Sequence, residues 1–354
     1  MKKELLTASA LAASLVVPGV ASAASMSMSG YSLNGVTSND SDAASDGTYS
    51  ATQDSGMSVS VSETTDGGMT ISSGFTLINE GAVSATESGL TLAFTDGSSL
   101  ELIDAGTAMA GALASVPSAS GEQGLGATCT NTSTTSLSWG GLTSAVGFDW
   151  NSADDFANID GLTFGFSAGM GDDATASSAS LNTDTSYSVG ATYVTTANDD
   201  TTVTIGGGYT TADGNTTNAR NANADTVAVS ISAVNGDLTI GAGMSTGEGL
   251  RYNTSVSVHE VDNVEVMNVG AKYVSGDMTF TVSYKDGSSD SADLGTSNAT
   301  SSDSQEAVGV SVDYAVASGV TATMGYEHRD DSDGGSPIQS DSGASWYLGA
   351  KISF

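Results

Sequence analysis

The sequence predicts an all-β protein, a transmembrane antiparallel β-barrel of about sixteen strands with one loop folded inward. Three observations carry this expectation. The first is strict alternation, clearest in the last stretch, where Trp346, Leu348, Ala350, Ile352 and Phe354 share one parity and Tyr347, Gly349, Lys351 and Ser353 the other. A strand with lipid on one face and an aqueous lumen on the other needs that period of two. The second is the amino terminus, where Met1-Lys2-Lys3 precedes an apolar stretch from Leu5 to Val20 and then Ala21-Ser22-Ala23. This reads as a secretory signal peptide over residues 1–23, cut after Ala23, leaving 24–354 as the barrel. The third is that connectors alternate between short and long, as expected when one rim faces the periplasm and the other the outside.

In chain order, strands are expected near Met26–Asn34, Met57–Glu63, Met69–Ile78, Gly89–Thr95 and Ser99–Ile103. Thr48–Gln53 is either a further strand or part of the first loop. From Leu162 the pattern sharpens: Leu162, Phe164, Phe166, Ala168 and Met170 form one apolar row, followed by rows beginning at Tyr187, Val203, Val227 and Leu238. Later rows begin at Met267, Met278, Val308 and Val320, before the final strand. Short turns fall at Asn235-Gly236-Asp237, Ser275-Gly276-Asp277 and Ala317-Ser318, and long polar loops over 171–184, 211–224, 286–305 and 329–342. Counting Tyr252–Glu260 as a membrane strand would break the alternation of loop lengths, so Gly247–Asn263 is assigned to an extracellular loop. The count is then roughly sixteen, with eighteen as the competing number. Tyr193, Tyr209, Tyr273, Tyr284, Tyr314 and Tyr326 each close a row, as an interfacial aromatic girdle should.

Composition limits the function classes. Only 14% of the 354 residues are charged, with three prolines and 44 glycines, which does not suit a helical protein. Disorder is countered by the regular bursts of Val, Ile, Phe and Tyr. No stretch beyond the leader approaches the ~18 apolar residues of a membrane helix, and a mean hydropathy of -0.03 is consistent with apolar residues hidden at alternate positions. The formal net charge is -33; without Lys2, Lys3 and Glu4, 40 acids against 6 bases leave -34. No basic stripe exists for nucleic acid, and cations are the natural counterparts. Cys129 is the single cysteine, so no intrachain disulfide can form.

With its alternating strands, its leader and a last strand ending on Phe354, the chain resembles the Gram-negative general diffusion porins, especially the alphaproteobacterial type. The resemblance implies localisation in the outer membrane, a homotrimer, contact with outer-membrane lipid, and recognition of Phe354 by the barrel-insertion machinery. It also implies passive diffusion of ions and small hydrophilic solutes through a water-filled pore without a cofactor. In such porins the loop after the fifth strand folds into the barrel, a role that falls here to Asp104–Leu113. Its small residues would allow close packing on the inner wall, with Met109 and Leu113 as anchors.

Porin constrictions usually set loop carboxylates against a ladder of wall arginines, and this sequence departs from that pattern. The mature chain has only Arg220, Arg251 and Arg329, all read as lying in or beside loops. Lumen-facing bases are expected at Lys272, Lys285 and Lys351, against the acids Glu101, Asp104, Asp149, Asp313 and Glu327. Charge along a pore selects by sign, so a weakly cation-selective channel is expected. Acidic loops such as Asp330-Asp331-Ser332-Asp333 and Asp172-Asp173 can bind Ca²⁺ weakly, but the position twelve residues into an EF-hand frame from Asp331 is Ser342 rather than Glu. No structural metal site is expected.

Gly241-Ala242-Gly243 lies inside strand alternation and leads into no helix, which argues against a nucleotide loop. The histidines are His259 and His328; Glu327-His328 near Asp330 matches no hydrolase motif, and no enzyme activity is expected. Two rivals remain. A substrate-specific channel would add an aromatic path along the lumen, whereas the aromatics here fall mainly on lipid-facing parity. A secreted acidic adhesin or surface-layer protein built as a β-solenoid would need a fixed repeat, and the row starts are unevenly spaced.

Overall fold

Sixteen antiparallel strands form one closed barrel in which each strand pairs with its sequence neighbours and β1 with β16. The computed structural model describes residues 24–41, 48–79, 83–102, 107–119, 146–170, 183–198, 200–214, 224–253, 257–293, 300–333 and 339–354. Residues 1–23, read above as a leader, and Asp104, Cys129, Arg220 and Asp172-Asp173 lie outside the described residues. The first half of the wall comprises β1 Ser25–Ser41, β2 Thr48–Thr64, β3 Thr70–Asn79, β4 Val83–Ala93, β5 Ser99–Leu102, β6 Val146–Asn151, β7 Leu162–Met170 and β8 Thr183–Asn198. The second half comprises β9 Thr201–Gly214, β10 Ala224–Asn235, β11 Leu238–Asn253, β12 Ser257–Ser275, β13 Met278–Asp293, β14 Thr300–Ala317, β15 Val320–Asp333 and β16 Gln339–Ser353. One short helix, α1 (Ala108–Ala112), interrupts the connection between β5 and β6.

Burial is inverted relative to a soluble protein. Val229, Ile240, Met267, Val310 and Leu348 point outward and are exposed, whereas Ser188, Ser230, Thr210 and Ser311 point inward and are buried. The alternation read from the sequence therefore assigns the faces correctly: outward apolar, inward hydroxyl or glycine. The row-closing tyrosines form two girdles rather than one, because successive strands run in opposite directions. Tyr193, Tyr273 and Tyr314 lie toward the rim of short turns, and Tyr209, Tyr284 and Tyr326 toward the rim of long loops. Two of the short turns place Gly236 (φ 53°) and Gly276 (φ 58°) at their first central position, the glycine-first turn that matches hairpin twist. At the β4–β5 turn the Ser98 hydroxyl and N–H both donate to Asp96 Oδ1 at 2.7 and 3.0 Å, and hold that exposed carboxyl below the usual aspartate range.

The structure corrects several boundaries. Gly247–Asn263 is not a loop: β11 and β12 continue as a hairpin through Asn253 and Ser257. Their register shifts between Gly247 and Gly249, and on the β13 side between Asp262 and Glu265, where Asn263 takes a positive φ. The hairpin adds no membrane strand, so the count is sixteen and not eighteen. Thr48–Gln53 is the beginning of β2 rather than an additional strand. Strands such as β12 with 19 residues and β14 with 18 outrun the roughly 9–11 residues a bilayer needs. Ladder pairing continues past the apolar belt because it satisfies the backbone there too, and the polar sequence of those extensions made them read as loops. β6, Val-Gly-Phe-Asp-Trp-Asn, is the strand whose bounds the alternation did not mark.

The barrel closes where β16 meets β1. Phe354 N–H donates to the Gly30 carbonyl and Gly30 N–H to the Phe354 carbonyl, each at 3.0 Å. Aromatic rings lie on neighbouring glycines here, Phe354 over Gly30 and Tyr347 over Gly35 across the seam, and Tyr31 over Gly56 between β1 and β2. Inside, Tyr347 and Leu33 are buried against each other with Tyr31 packed beside them. A side chain at Gly35 would meet both the Tyr347 ring and the Leu348 carbonyl, the latter at 2.6 Å. Gly35→Ala is therefore expected to destabilise the barrel by about 1–3 kcal/mol, as overpacking does. Urea-induced unfolding in lipid vesicles should show an earlier midpoint than wild type, and Gly111→Ala, which meets open space, should not.

Candidate pore constriction

The segment Thr107–Ala119 runs along the inner wall from β7 to β14, and its seat is built from wall hydroxyls and wall glycines. A backbone lying on a sheet face finds no ladder partner, yet its buried polar groups need partners. Serines supply them: Ala108 N–H donates to Ser167 Oγ at 2.9 Å, Met109 N–H to Ser188 Oγ at 2.9 Å, Ala114 N–H to Ser230 Oγ at 2.6 Å and Ala119 N–H to Ser283 Oγ at 3.0 Å. In the other direction Thr192 Oγ1 donates to the Ala112 carbonyl at 2.7 Å. Between these hydroxyls the segment presses on glycines, with Ala108 and Ala112 against Gly190, Pro117 against Gly270 and Ala119 against Gly309.

Reach explains the shape. From Ala112 on β9 to Ala119 on β14 the wall advances five strands, about 24 Å at roughly 4.8 Å per strand; seven residues of extended chain span about 23 Å. The stretch after α1 must therefore be extended, and Pro117 fits there because its fixed φ belongs to extended backbone. α1 begins at Thr107, whose hydroxyl accepts from Ala110 N–H at 3.2 Å. Its side chains are small enough to lie flat. Met109 is fully buried, and the Thr210 hydroxyl approaches its sulfur at 3.7 Å. Leu113 is only half-buried.

The charges expected in the lumen are distributed unevenly. Glu101 and Asp149 are direct cross-strand partners on β5 and β6, and Asp149 in turn pairs with Ser167, the first anchor of the inner segment. Asp149 is buried, with its Oδ2 accepting from Asn151 Nδ2 at 3.2 Å. Lys285, Asp313, Glu327 and Lys351 lie half-buried on the inward parity of β13 to β16, and Lys272 lies exposed toward the short-turn rim of β12. Lys351 Nζ sits 5.0 Å above the Tyr31 ring, whose hydroxyl donates to Asp54 Oδ2 at 2.9 Å. Asp104 is not described, and Thr107–Ala119 carries no charged residue.

Two lumen residues were missed. Arg329 was read as a loop residue, but it is buried on the inward face of β15, because that strand runs on to Asp333. Arg251, read as lying in or beside a loop, falls within β11. Asp54 faces inward from β2, where weak alternation gave no parity to read. The serine and glycine seat was legible as inward parity but not as a path, since strand heights are fixed only by register. Near the long-loop rim, His328 Nε2 lies 3.5 Å from Asp330 Oδ2, and the Ser342 hydroxyl donates to Asp330 Oδ1 at 2.5 Å. The carboxylate stands between serine and histidine, so the histidine is not placed as the base of a nucleophile. Among the described residues no group of three or more His, Cys, Asp and Glu side chains converges as a metal site.

A closed sixteen-stranded barrel with an apolar outer belt, a hydroxyl-lined interior and an inner segment crossing the wall defines an outer-membrane channel protein. The chain belongs to the Gram-negative porin family, whose model matches residues 7–352. Similar solved structures include OmpT of Vibrio cholerae, at 14% identity and a TM-score of 0.60, covering 95% of this chain and 99% of that one. Salmonella typhi OmpF in complex with daunomycin aligns at 13% identity and a TM-score of 0.62, with 93% and 98% covered. An anion-selective porin from Comamonas acidovorans aligns at 11% identity and a TM-score of 0.59, with 94% and 100% covered. No curated protein matches. These likenesses establish the fold, and family membership establishes a porin-type channel of the outer membrane.

Removing one wall hydroxyl leaves a buried N–H unpaired, at about 1–3 kcal/mol each. The double variant Ser188→Ala/Ser230→Ala should keep the barrel folded but loosen the inner segment. Single-channel records are then expected to show added flicker between sublevels from a barrel that remains folded, whereas quiet wild-type-like steps would mean that the hydroxyls do not hold the segment.

Proposed function

We propose that the chain forms a water-filled diffusion pore for ions and small hydrophilic solutes, weakly cation-selective and of the alphaproteobacterial general type. The observation that carries this reading is the uncharged segment Thr107–Ala119 seated across β7 to β14, which leaves the sign preference to the charged side chains of the wall. Asp54, Glu101, Asp149, Asp313 and Glu327 slightly outnumber Lys272, Lys285, Arg329 and Lys351 on inward parity. The undescribed Asp104 belongs to the acidic side of this reading. Charged walls bias permeation by sign, and here the bias is small. The fold does not decide the sign, since a similar barrel is an anion-selective porin.

Further parts of the reading rest on the chain's own features. Removal of residues 1–23 after Ala23 and handling of Phe354 by the insertion machinery follow from the leader and the terminal aromatic strand. A homotrimer is supported by the outer face of β1 and β2, where Gln53 Nε2 donates to Asn34 Oδ1 at 3.1 Å and Asn34 Nδ2 to Ser32 Oγ at 3.0 Å. Polar side chains are costly against lipid tails, and a second copy would shield them. A substrate-specific pore would need an aromatic path along the bore; the inward Tyr31 and Tyr347 are instead laid against wall glycines.

In planar bilayers, discrete conductance steps with a cation-favouring reversal potential under a KCl gradient are expected, and anion preference would sink the assignment of lumen charge. Gly111 projects toward open space, with nothing within 4 Å of the position a Cβ would take. Gly111→Asp should therefore raise cation preference and Gly111→Arg reverse it, both without loss of the folded trimer on unheated gels.

A further inference from the structure

The outer face of the barrel carries a groove of about 580 Å³ over β10 to β13. It forms around a small residue: Ala242 has Ile231 and Val269 as its direct cross-strand partners, and Met244 and Met267 stand next above them on the same exposed face. Toward the long-loop rim the groove ends on Glu265, Asp286 and Ser288. Glu265 and Ser288 are direct partners, and Asp286 is the diagonal neighbour of Glu265, a separation that long side chains bridge. These two acids belong to an outward row with one member per strand, Asp225 on β10, Glu248 on β11, Glu265 on β12, Asp286 on β13 and Glu306 on β14. Asp225 stands directly opposite Glu248, and Asp286 opposite Glu306. Like charges so placed repel, and among the described outward side chains of β10 to β14 there is no lysine or arginine. A second outer groove, of about 310 Å³ over β14 to β16, is walled by Val310, Met324, Tyr326, Trp346 and Leu348 and has no charged residue in its lining. Of these two grooves, only the first is capped by carboxylates.

We propose that this groove holds one membrane lipid whose headgroup carries a protonated amine, with an acyl chain laid over Met267, Met244 and Ala242 and the ammonium between Glu265 and Asp286. The outer face of a membrane barrel is covered by lipid, so the apolar walls accept a chain and the carboxylates choose the headgroup. An ammonium offers hydrogen-bond donors and no acceptor, and an ionised carboxylate offers acceptors and no donor. A headgroup that is anionic and lacks an amine would meet like charge at this rim. The amine brings its positive charge with the lipid, and the Ser288 hydroxyl stands beside it for an oxygen of the same headgroup. The inference rests on the place of the barrel in the outer membrane and not on the ion preference of its bore. β10 to β13 are also remote around the wall from β1 and β2, so the lipid does not compete with the second copy proposed there.

Native mass spectrometry of the refolded chain tests this with two probes of identical acyl chains, lysyl-phosphatidylglycerol and phosphatidylglycerol, which differ by the amine-bearing lysyl group. Wild type is expected to retain the lysyl lipid at least about fivefold more tightly, the worth of roughly one charge contact at a membrane surface. Glu265→Gln and Asp286→Asn should each lose most of that preference. Ala242→Leu fills the groove while keeping both carboxylates, and should bring the lysyl lipid down to the level of phosphatidylglycerol on wild type. Asp237→Asn, in a turn at the opposite rim, should behave as wild type. Retention of the folded species on unheated gels checks each variant. Equal retention of the two lipids by wild type would overturn the proposal. So would a preference that survives Ala242→Leu, which would mean diffuse attraction to the acidic row, or a loss in Asp237→Asn. Tighter retention of phosphatidylglycerol once MgCl2 is added would also overturn it, because the row would then meet anionic lipid through metal ions. Lipid retention is read whether or not the bore conducts, so failure of the lipid site and failure of the channel reading are distinguishable.

Discussion

In a membrane every backbone N–H and C=O has to be paired within the protein, and that requirement shapes this molecule twice. It closes the sheet, since a free edge on β1 or β16 would leave a row of unpaired groups facing lipid. The reciprocal bonds between Gly30 and Phe354 are the last pair of that closure. It also dictates how a chain segment can lie inside the barrel. Thr107–Ala119 cannot join a ladder whose positions are all taken, so the wall offers side-chain oxygens in their place, from Ser167, Ser188, Thr192, Ser230 and Ser283.

This seat explains much of the composition. Where the segment crosses the wall, inward positions must be glycine to let another backbone approach or serine to bond it, and Gly190, Gly270 and Gly309 alternate with the anchoring hydroxyls. Elsewhere on the wall, glycines receive aromatic rings, as Gly30, Gly35 and Gly56 do around the closing seam. The same residue type thus serves two kinds of close approach on opposite sides of the bore. Because the contacts are made by the segment's backbone, its side chains need only be small, which accounts for the alanines at 108, 110, 112, 114 and 119.

Electrostatics follow the same division. The first half of the barrel contributes acids without any base, and beyond Lys3 every lysine and arginine lies from Arg220 onward. Bases therefore stand only on the later strands, where Lys272, Lys285, Arg329 and Lys351 share the wall with Asp313 and Glu327, whereas β1 to β8 contribute Asp54, Glu101 and Asp149 and no base. A field across the bore can arise from the wall itself, with the described inner segment neutral, unlike the loop-against-arginine arrangement that the resemblance had led one to look for.

The sequence by itself determined the fold class, a strand count near sixteen and the faces of the strands from β7 onward, and the family resemblance added an inward segment after the fifth strand. Period-two alternation is a local property, and a strand between lipid and water writes it into every second residue. The sequence did not reveal how far the strands extend: Arg329 and Gly247–Asn263 looked like loop because ladder pairing beyond the lipid belt needs no apolar face. Nor did it reveal which inward residues share a height. Glu101 and Asp149 are 48 positions apart in the numbering, Ala114 and Ser230 are 116; only register and barrel closure bring them together, because lateral proximity in a sheet is set by how strands pair and not by anything within one strand.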